Sequence, residues 1–421
     1  MDATKQNSPE VYEKALSQQF SSGDSRYRLA LALLAAGQPD RALIILKSCI
    51  SQDASGRSLL AILLAAKVCV LSTHQPKQAA RYASRAVQTS GPTLARSLHI
   101  MGVACNRCSI QAVSLGEKKA FQQQSLDALL AAREADPLDT NVLYNLALQY
   151  AQIREIAKAL KCCHDVLATN RGHAPAWNLL SLLLSSRKQY TQALKAIQTG
   201  LAYQPKDSSL LVTKAQLDKE VDGHQSALPT YQYLIHHANN SSPKLKQISF
   251  DLQSRNEHSY DQSGTTPQVP IRESDLWLSA SETYRELGMQ IDASYCLNEA
   301  GQLDPFSANI YFQQAALFEQ QQRLDEALAS YETTLFLNPR HTRALVGLGK
   351  IHLKEQRYDL AEHFLTEALR WSPTDHTAWQ WLALALEEQG RYDQASDAFK
   401  IALELEDTSP ALEFEQLGMV V

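Results

Sequence analysis

Trp277, Tyr311, Leu345 and Trp379 stand 34 residues apart, and Ala293, Ala327, Ala361 and Ala395 keep the same step. Pro305, Pro339 and Pro373 keep it too, with Asp407 where the next proline would fall. A unit that recurs in register over 275–407 is one supersecondary module copied, and such a module buries its apolar face only by stacking on its neighbours. In the last copy Trp379, Leu382, Ala383 and Leu386 lie at i, i+3, i+4 and i+7, one stripe of a helix. Gly390-Arg391-Tyr392 then re-aims the chain, and Ala395, Phe399 and Ala402 form the stripe of a second helix. The alanines are small enough for the paired helices to approach closely.

An early aromatic or Leu, a central Ala and a closing Pro at this period make the tetratricopeptide pattern. The expected fold is all-α, a tetratricopeptide-type α-solenoid: a right-handed superhelix of about ten helix hairpins with a concave inner face. Trp177, Ala193, Trp277, Ala293, Tyr311, Ala327, Ala361, Trp379 and Ala395 are the expected packing positions between repeats.

The same step runs upstream. Leu143, Trp177 and Leu211 are 34 apart, with Ala159, Ala193 and Ala227 in register. Pro229 falls inside the second helix of that last unit and should bend it or delay its start. Looser repeats precede these, at 26–54, 56–88 and 92–135. The run Leu59–Leu71 is almost wholly apolar and too short for a bilayer, so it is expected to be buried on more than one side. The third repeat carries about eleven extra residues around Cys108 to Lys118, read as helix extension plus loop. Near Val11, Ala15 and Leu16 a short helix is expected.

The expected organisation is an N-terminal array over 1–238 with about six repeats, a flexible polar insertion over 239–274, a four-repeat array over 275–407 and a capping tail over 408–421. Inside the insertion Leu245, Ile248 and Leu252 have helical spacing beside Lys244, Lys246 and Arg255. That stretch reads either as a docked loop turn or as a short basic recognition helix of calmodulin-target or partner-groove type. The apolar tail around Leu412, Phe414, Leu417, Met419 and Val420 reads either as a lid folded back over the last hairpin or as a segment for a partner's groove.

Composition narrows the function. A formal net charge of −5 argues against nucleic acid as a partner. No apolar run is long enough to span a bilayer, and Met1 to Pro9 is polar, without the core of a signal peptide. Seven scattered cysteines suit reduced thiols in the cytosol. Cys105 and Cys108 form a CxxC, but no second ligand pair accompanies it, and Cys162-Cys163 are adjacent rather than spaced as ligands. His164, His173 and His236-His237 join no metal motif, and Glu387-Glu388, as helix neighbours, point apart. With no phosphate loop and no nucleophile motif, the chain is not expected to be an enzyme or to hold a cofactor.

In such arrays the first helix of each hairpin lines the inner groove, at positions one, five and eight after the Trp177-type residue. Those positions hold Tyr144, Leu148, Asn178, Leu182 and Ser185 in the middle of the chain, and Leu278, Glu282, Arg285, Val346, Lys350 and Leu384 in the last array. The Lys, Asn and Arg clamp that chaperone-binding members of the family use for a terminal carboxylate is missing. The mixed, partly apolar set suits a helix or a folded partner.

The run from Phe399 to Phe414, the preceding Ala378-Trp379-Gln380 and the run from Asp292 to Ala300 resemble the tetratricopeptide repeat protein 7 family, best over 275–414. The resemblance implies a non-catalytic scaffold that helps assemble and hold the phosphatidylinositol 4-kinase III alpha complex. The implied location is cytoplasmic and peripheral at the plasma membrane, reached through partners alone, in support of phosphatidylinositol phosphate biosynthesis. The implied partners are the lipid kinase, a hyccin-type subunit and a palmitoylated membrane anchor protein. A related plant branch implies calmodulin. Family members carry further helical sequence before the matched part, so the chain is expected to be a short form or a fragment. The alternatives are a general repeat adaptor in trafficking or co-chaperone work, or a calmodulin-binding repeat protein.

Overall fold

In the computed structural model the described residues are 23–52, 59–71, 75–89, 94–112, 114–240 and 272–406, with isolated positions from 410 to 419. The helix expected near Val11 and nearly all of the 239–274 insertion lie outside them, as does most of the tail, in which Phe414 and Met419 are buried. The described residues form helices and turns, and no strand occurs among them. No described helix is long and apolar enough to cross a membrane.

The helices come in pairs. The first unit of the chain holds α1 (Gly23–Ala35) with α2 (Pro39–Gln52), α3 (Leu59–Leu71) with α4 (Pro76–Thr89), α5 (Leu94–Ile110) with α6 (Leu115–Ala135), and α7 (Thr140–Gln152) with α8 (Ile156–Thr169). α9 (Ala174–Ser185) begins at the end of that unit, and the second unit starts at its Trp177. The second unit continues with α10 (Tyr190–Tyr203), α11 (Ser208–Asp222) and α12 (His224–Asn240). After the insertion come α13 (Glu273–Glu286), α14 (Gln290–Leu303), α15 (Ala308–Gln320), α16 (Leu324–Leu337), α17 (Thr342–Lys354), α18 (Tyr358–Trp371), α19 (His376–Glu388) and α20 (Tyr392–Glu406). Each unit is an all-α, tetratricopeptide-type solenoid.

The period is built from three local devices. The first is a side-chain N-cap on the first helix of several pairs. Asp139, Asp207 and Asp375 accept backbone N–H bonds from residues two and three ahead, at 2.9–3.4 Å. His173 and His341 occupy the same place in the period, and their Nδ1 atoms accept from the Ala176 and Ala344 amides, each at 3.1 Å. The second device is a residue with left-handed backbone just after that helix. It is Gly288, then Gln322, Gln356 and Gly390, each 34 further on, and upstream Arg154 and Lys188.

The third device is the small residue at the crossing of each pair. Ala293, Ala327 and Ala361 are fully buried, and Ala395 is 3% exposed. A Cβ on Gly200 would lie 2.9 Å from the Trp177 Cβ, so these helices meet backbone to ring. The aromatic of the period is amphipathic. Trp379 Nε1 donates to the Pro373 carbonyl at 2.9 Å, and Tyr311 Oη donates to that of Pro305 at 3.3 Å. Ring burial and loop closure therefore come from one side chain.

The looser repeats follow the same physics. α3 buries nine of its thirteen residues, as its all-round apolarity requires. The extra residues of the third repeat lengthen α5 to 17 residues and α6 to 21. α12 starts at His224, ahead of Pro229, so the proline does not delay it. Across the insertion the packing continues: Ala215, Ala227 and Tyr231 on one side share a core with Ala280 and Cys296 on the other.

Candidate functional site

α13, α15 and α17 turn one face each toward a groove of about 720 Å³ in the second unit, which Thr377 of α19 also lines. On α13 it is lined by Glu282, Arg285 and Glu286, on α15 by Phe312, Ala316 and Glu319, and on α17 by Arg343, Val346, Gly347, Lys350 and Lys354. The i, i+3, i+4, i+7 and i+11 spacing on α17 places that whole stripe on one side of the helix.

Part of the charge is spent internally. Lys354 Nζ meets Glu319 Oε1 at 2.8 Å, and Tyr331 Oη donates to Glu319 Oε2 at 3.2 Å. Burial first, and the Glu319 carboxylate second, push the Tyr331 hydroxyl far above its ordinary value, so it stays a donor. Arg285 pairs with Glu286 at 2.8 Å while its Nε is buried without a partner. Lys350 Nζ sits 5.1 Å from the centroid of the Trp381 ring. Arg343 is exposed and forms no ion pair among the described residues. Gly347 forms the floor, where a Cβ would fall 2.7 Å from Tyr331 Cε1. The result is a polar trough with apolar patches, suited to holding a surface with its own mixed charges.

The groove residues named from the sequence fall in different places. Glu282, Arg285, Val346 and Lys350 line this trough together. Leu278 is buried in the core of α13, α14 and α15, and Leu384 is half-buried on α19. Tyr144, Leu148, Asn178 and Leu182 are each 3% exposed or less, as is Ser185. Of the packing positions, Ala193 is fully buried, while Trp177, Trp277, Tyr311 and Trp379 are half-buried.

Sequence reasoning missed a buried polar seam in the first unit. Asn106 Nδ2 donates to Gln149 Oε1 at 2.9 Å and to Gln152 Oε1 at 2.8 Å, and Ser125 Oγ donates to the Gly102 carbonyl at 2.8 Å. Asn145 meets His99 at 2.6 Å. The available signal was amides recurring on the inward faces of α5 and α7, where an apolar residue would otherwise stand.

The cysteines and His173 are placed in the interior. All seven cysteines are buried and free, and burial pushes the Cys105 and Cys108 thiols up to about 11. His173 is buried and spends its Nδ1 on a helix cap, while His164, Glu387 and Glu388 are exposed. Among the described residues no cluster of His, Cys, Asp and Glu could hold a metal ion.

The tetratricopeptide repeat family matches residues 24–55, 312–376 and 352–413. Human tetratricopeptide repeat protein 7B is 29% identical over 98% of this chain, which aligns with 55% of that protein. Human tetratricopeptide repeat protein 7A is 26% identical over 96% of the chain and 53% of its own length. The chain thus spans about half the length of these relatives. Its fold also matches the crystal structure of Ypp1, with a TM-score of 0.58 and 14% identity over 96% of this chain and 62% of that one. The chain carries tetratricopeptide repeats, and its resemblance to tetratricopeptide repeat proteins 7A and 7B extends over nearly its whole length.

Proposed function

We propose that this repeat protein of the tetratricopeptide repeat protein 7 type is a non-catalytic scaffold that helps hold a phosphatidylinositol 4-kinase complex at the plasma membrane. The likeness to human tetratricopeptide repeat protein 7B over 98% of the chain carries the reading. The partners it implies are the lipid kinase, a hyccin-type subunit and a palmitoylated membrane anchor protein, and membrane contact runs through them. Two physical observations support it. Many described polar side chains are engaged in caps, seams and ion pairs. The trough of α13, α15, α17 and α19 offers a mixed-charge face of the kind that docks folded or helical protein. We assign partner binding to that trough.

Affinity purification of the tagged chain from cells expressing the kinase and the hyccin-type subunit tests the reading. Recovery of both is expected. Recovery of neither overturns it, and recovery of chaperones or calmodulin instead would move the chain to the adaptor class.

A further inference from the structure

α13 has a second working face. Trp277, Ala280 and Tyr284, at i, i+3 and i+7, point away from the trough into a cleft of about 390 Å³ between α12 and α14. Its walls are largely aromatic, made by Trp277 and Tyr284 from α13, Tyr231 from α12 and Tyr295 from α14, with Leu228, Gln232, Ile235 and His236 of α12 completing the lining. Trp277 and Tyr295 stand edge to face with centroids 6.1 Å apart, so two walls meet near a right angle. Two of the rings are held by side-chain amides: Gln216 Nε2 donates to Tyr231 Oη at 2.8 Å, and Gln232 Nε2 to Tyr284 Oη at 3.2 Å. Asp292 stands exposed at the rim, and its field adds to burial in pushing the Cys296 thiol up to about 11.

The charge around the cleft is one-sided. Of the six carboxylates on α12, α13 and α14, Asp292 lines the cleft while Glu282 and Glu286 line the trough, and the one permanent cation of these helices is Arg285. Arg285 lies on the trough side, paired with Glu286. Arg272, just ahead of α13, faces Asp304 at 3.7 Å.

Elsewhere in the second unit three aromatic rings are covered by the chain's own cations. Arg323 lies over Phe318 and Arg340 over Trp371, each at 4.8 Å, and Lys350 over Trp381 at 5.1 Å. Trp277, Tyr284 and Tyr295 have no such cation among the described residues. Aromatic faces converging beside a carboxylate, with no lysine or arginine in the wall, make the environment that a guanidinium or ammonium group seeks.

We propose that this cleft receives an arginine or lysine side chain from a basic, amphipathic segment of a protein partner. The cation enters the corner that Trp277 and Tyr295 form, beside Asp292, while Tyr295 and Ile291, 58% and 84% exposed, meet the segment's apolar residues. The inference rests on the scaffold reading but assigns a surface separate from the trough. Its test needs only the purified chain, so it can fail while the kinase is still recovered from cells, or succeed when it is not.

The probe is a fluorescein-labelled amphipathic peptide bearing arginines on one helical face, titrated against the full chain by anisotropy at about 0.15 M salt. A second peptide carries citrulline, the neutral isostere, at every arginine. The citrulline peptide should bind at least tenfold more weakly, a ratio of about 1.4 kcal/mol. Tyr295→Ala, which leaves the protein's charge unchanged, should weaken the arginine peptide about fivefold with melting unaltered, as removal of one cation–π wall requires. Asp292→Asn should weaken it as well. Equal binding of the two peptides, or no binding of either, overturns the proposal. So does a Tyr295→Ala variant that binds as tightly as the parent, since the attraction would then belong to the acidic surface in general. Tetramethylammonium binding to a chain that ignores the arginine peptide would assign the cleft to a small cation and overturn the partner reading.

Discussion

Gly347→Ala sets two opposed effects against each other at the floor of the trough. In an exposed helix interior the exchange stabilises by about 1 kcal/mol, because glycine loses more backbone freedom on folding. Here the new Cβ would sit 2.7 and 2.9 Å from Tyr331 Cε1 and Cε2, against 3.4–4 Å for ordinary contact. Tyr331 is 2% exposed and cannot swing clear, so its ring must be driven back. Overpacking of this kind costs about 1–3 kcal/mol. The retreat also pulls the hydroxyl from Glu319 Oε2, now 3.2 Å away, and that costs about 1 kcal/mol more. The net expectation is a loss of about 1–3 kcal/mol, read as a lower urea midpoint in far-UV circular dichroism with the slope unchanged. In a Tyr331→Leu background the clash is relieved and Gly347→Ala should become neutral or stabilising, so the two changes are non-additive. A Gly347→Ala variant that is about 1 kcal/mol more stable than the parent would refute the close-approach account.

Two further tests address the local devices of the repeat. Gln322 and Gln356 hold left-handed backbone with φ of 63° and 61°, so Gln322→Gly and Gln356→Gly should each raise stability by about 0.5–1 kcal/mol; lower urea midpoints would count against the turn geometry. His173 is a neutral cap in the folded chain, with burial pulling its pKa from the ordinary 6.5 down to about 4, and His341 is likewise held near 4 by burial and Arg343. A depressed histidine binds fewer protons folded than unfolded, so its contribution is complete above about pH 6.5 and fades as pH falls toward 4. Midpoints measured across that window should drop, and His173→Asn, which keeps a cap acceptor without the titration, should flatten the slope.

What could be read in the sequence was what recurs in residue type. Ala293, Ala327, Ala361 and Ala395 are near or fully buried because a crossing point tolerates only a small side chain. Devices that recur in backbone but not in residue type were hidden. The turn after the first helix is Gly at 288 and 390 but Gln at 322 and 356, and the cap is Asp at 375 but His at 341. The trough was half legible. Counting from Trp277 arrives at Glu282 and Arg285, which line the trough, whereas the same count from Leu143 and Trp177 arrives at Tyr144, Leu148, Asn178 and Leu182, all buried. Periodicity states which side of a helix a residue occupies, not what the surrounding helices cover. The aromatic cleft was illegible because Tyr231, Trp277 and Tyr295 come from three helices with a polar insertion between the first two.

Co-purification of the lipid kinase with the intact chain and with Arg343→Glu tests the scaffold assignment most directly. Arg343 is exposed, lines the trough and serves no ion pair among the described residues, so its reversal should leave melting unchanged. The parent should retain the kinase, and the variant should lose most of it. Equal recovery by both would show that the trough is not the partner surface, and recovery by neither would contradict the scaffold assignment itself.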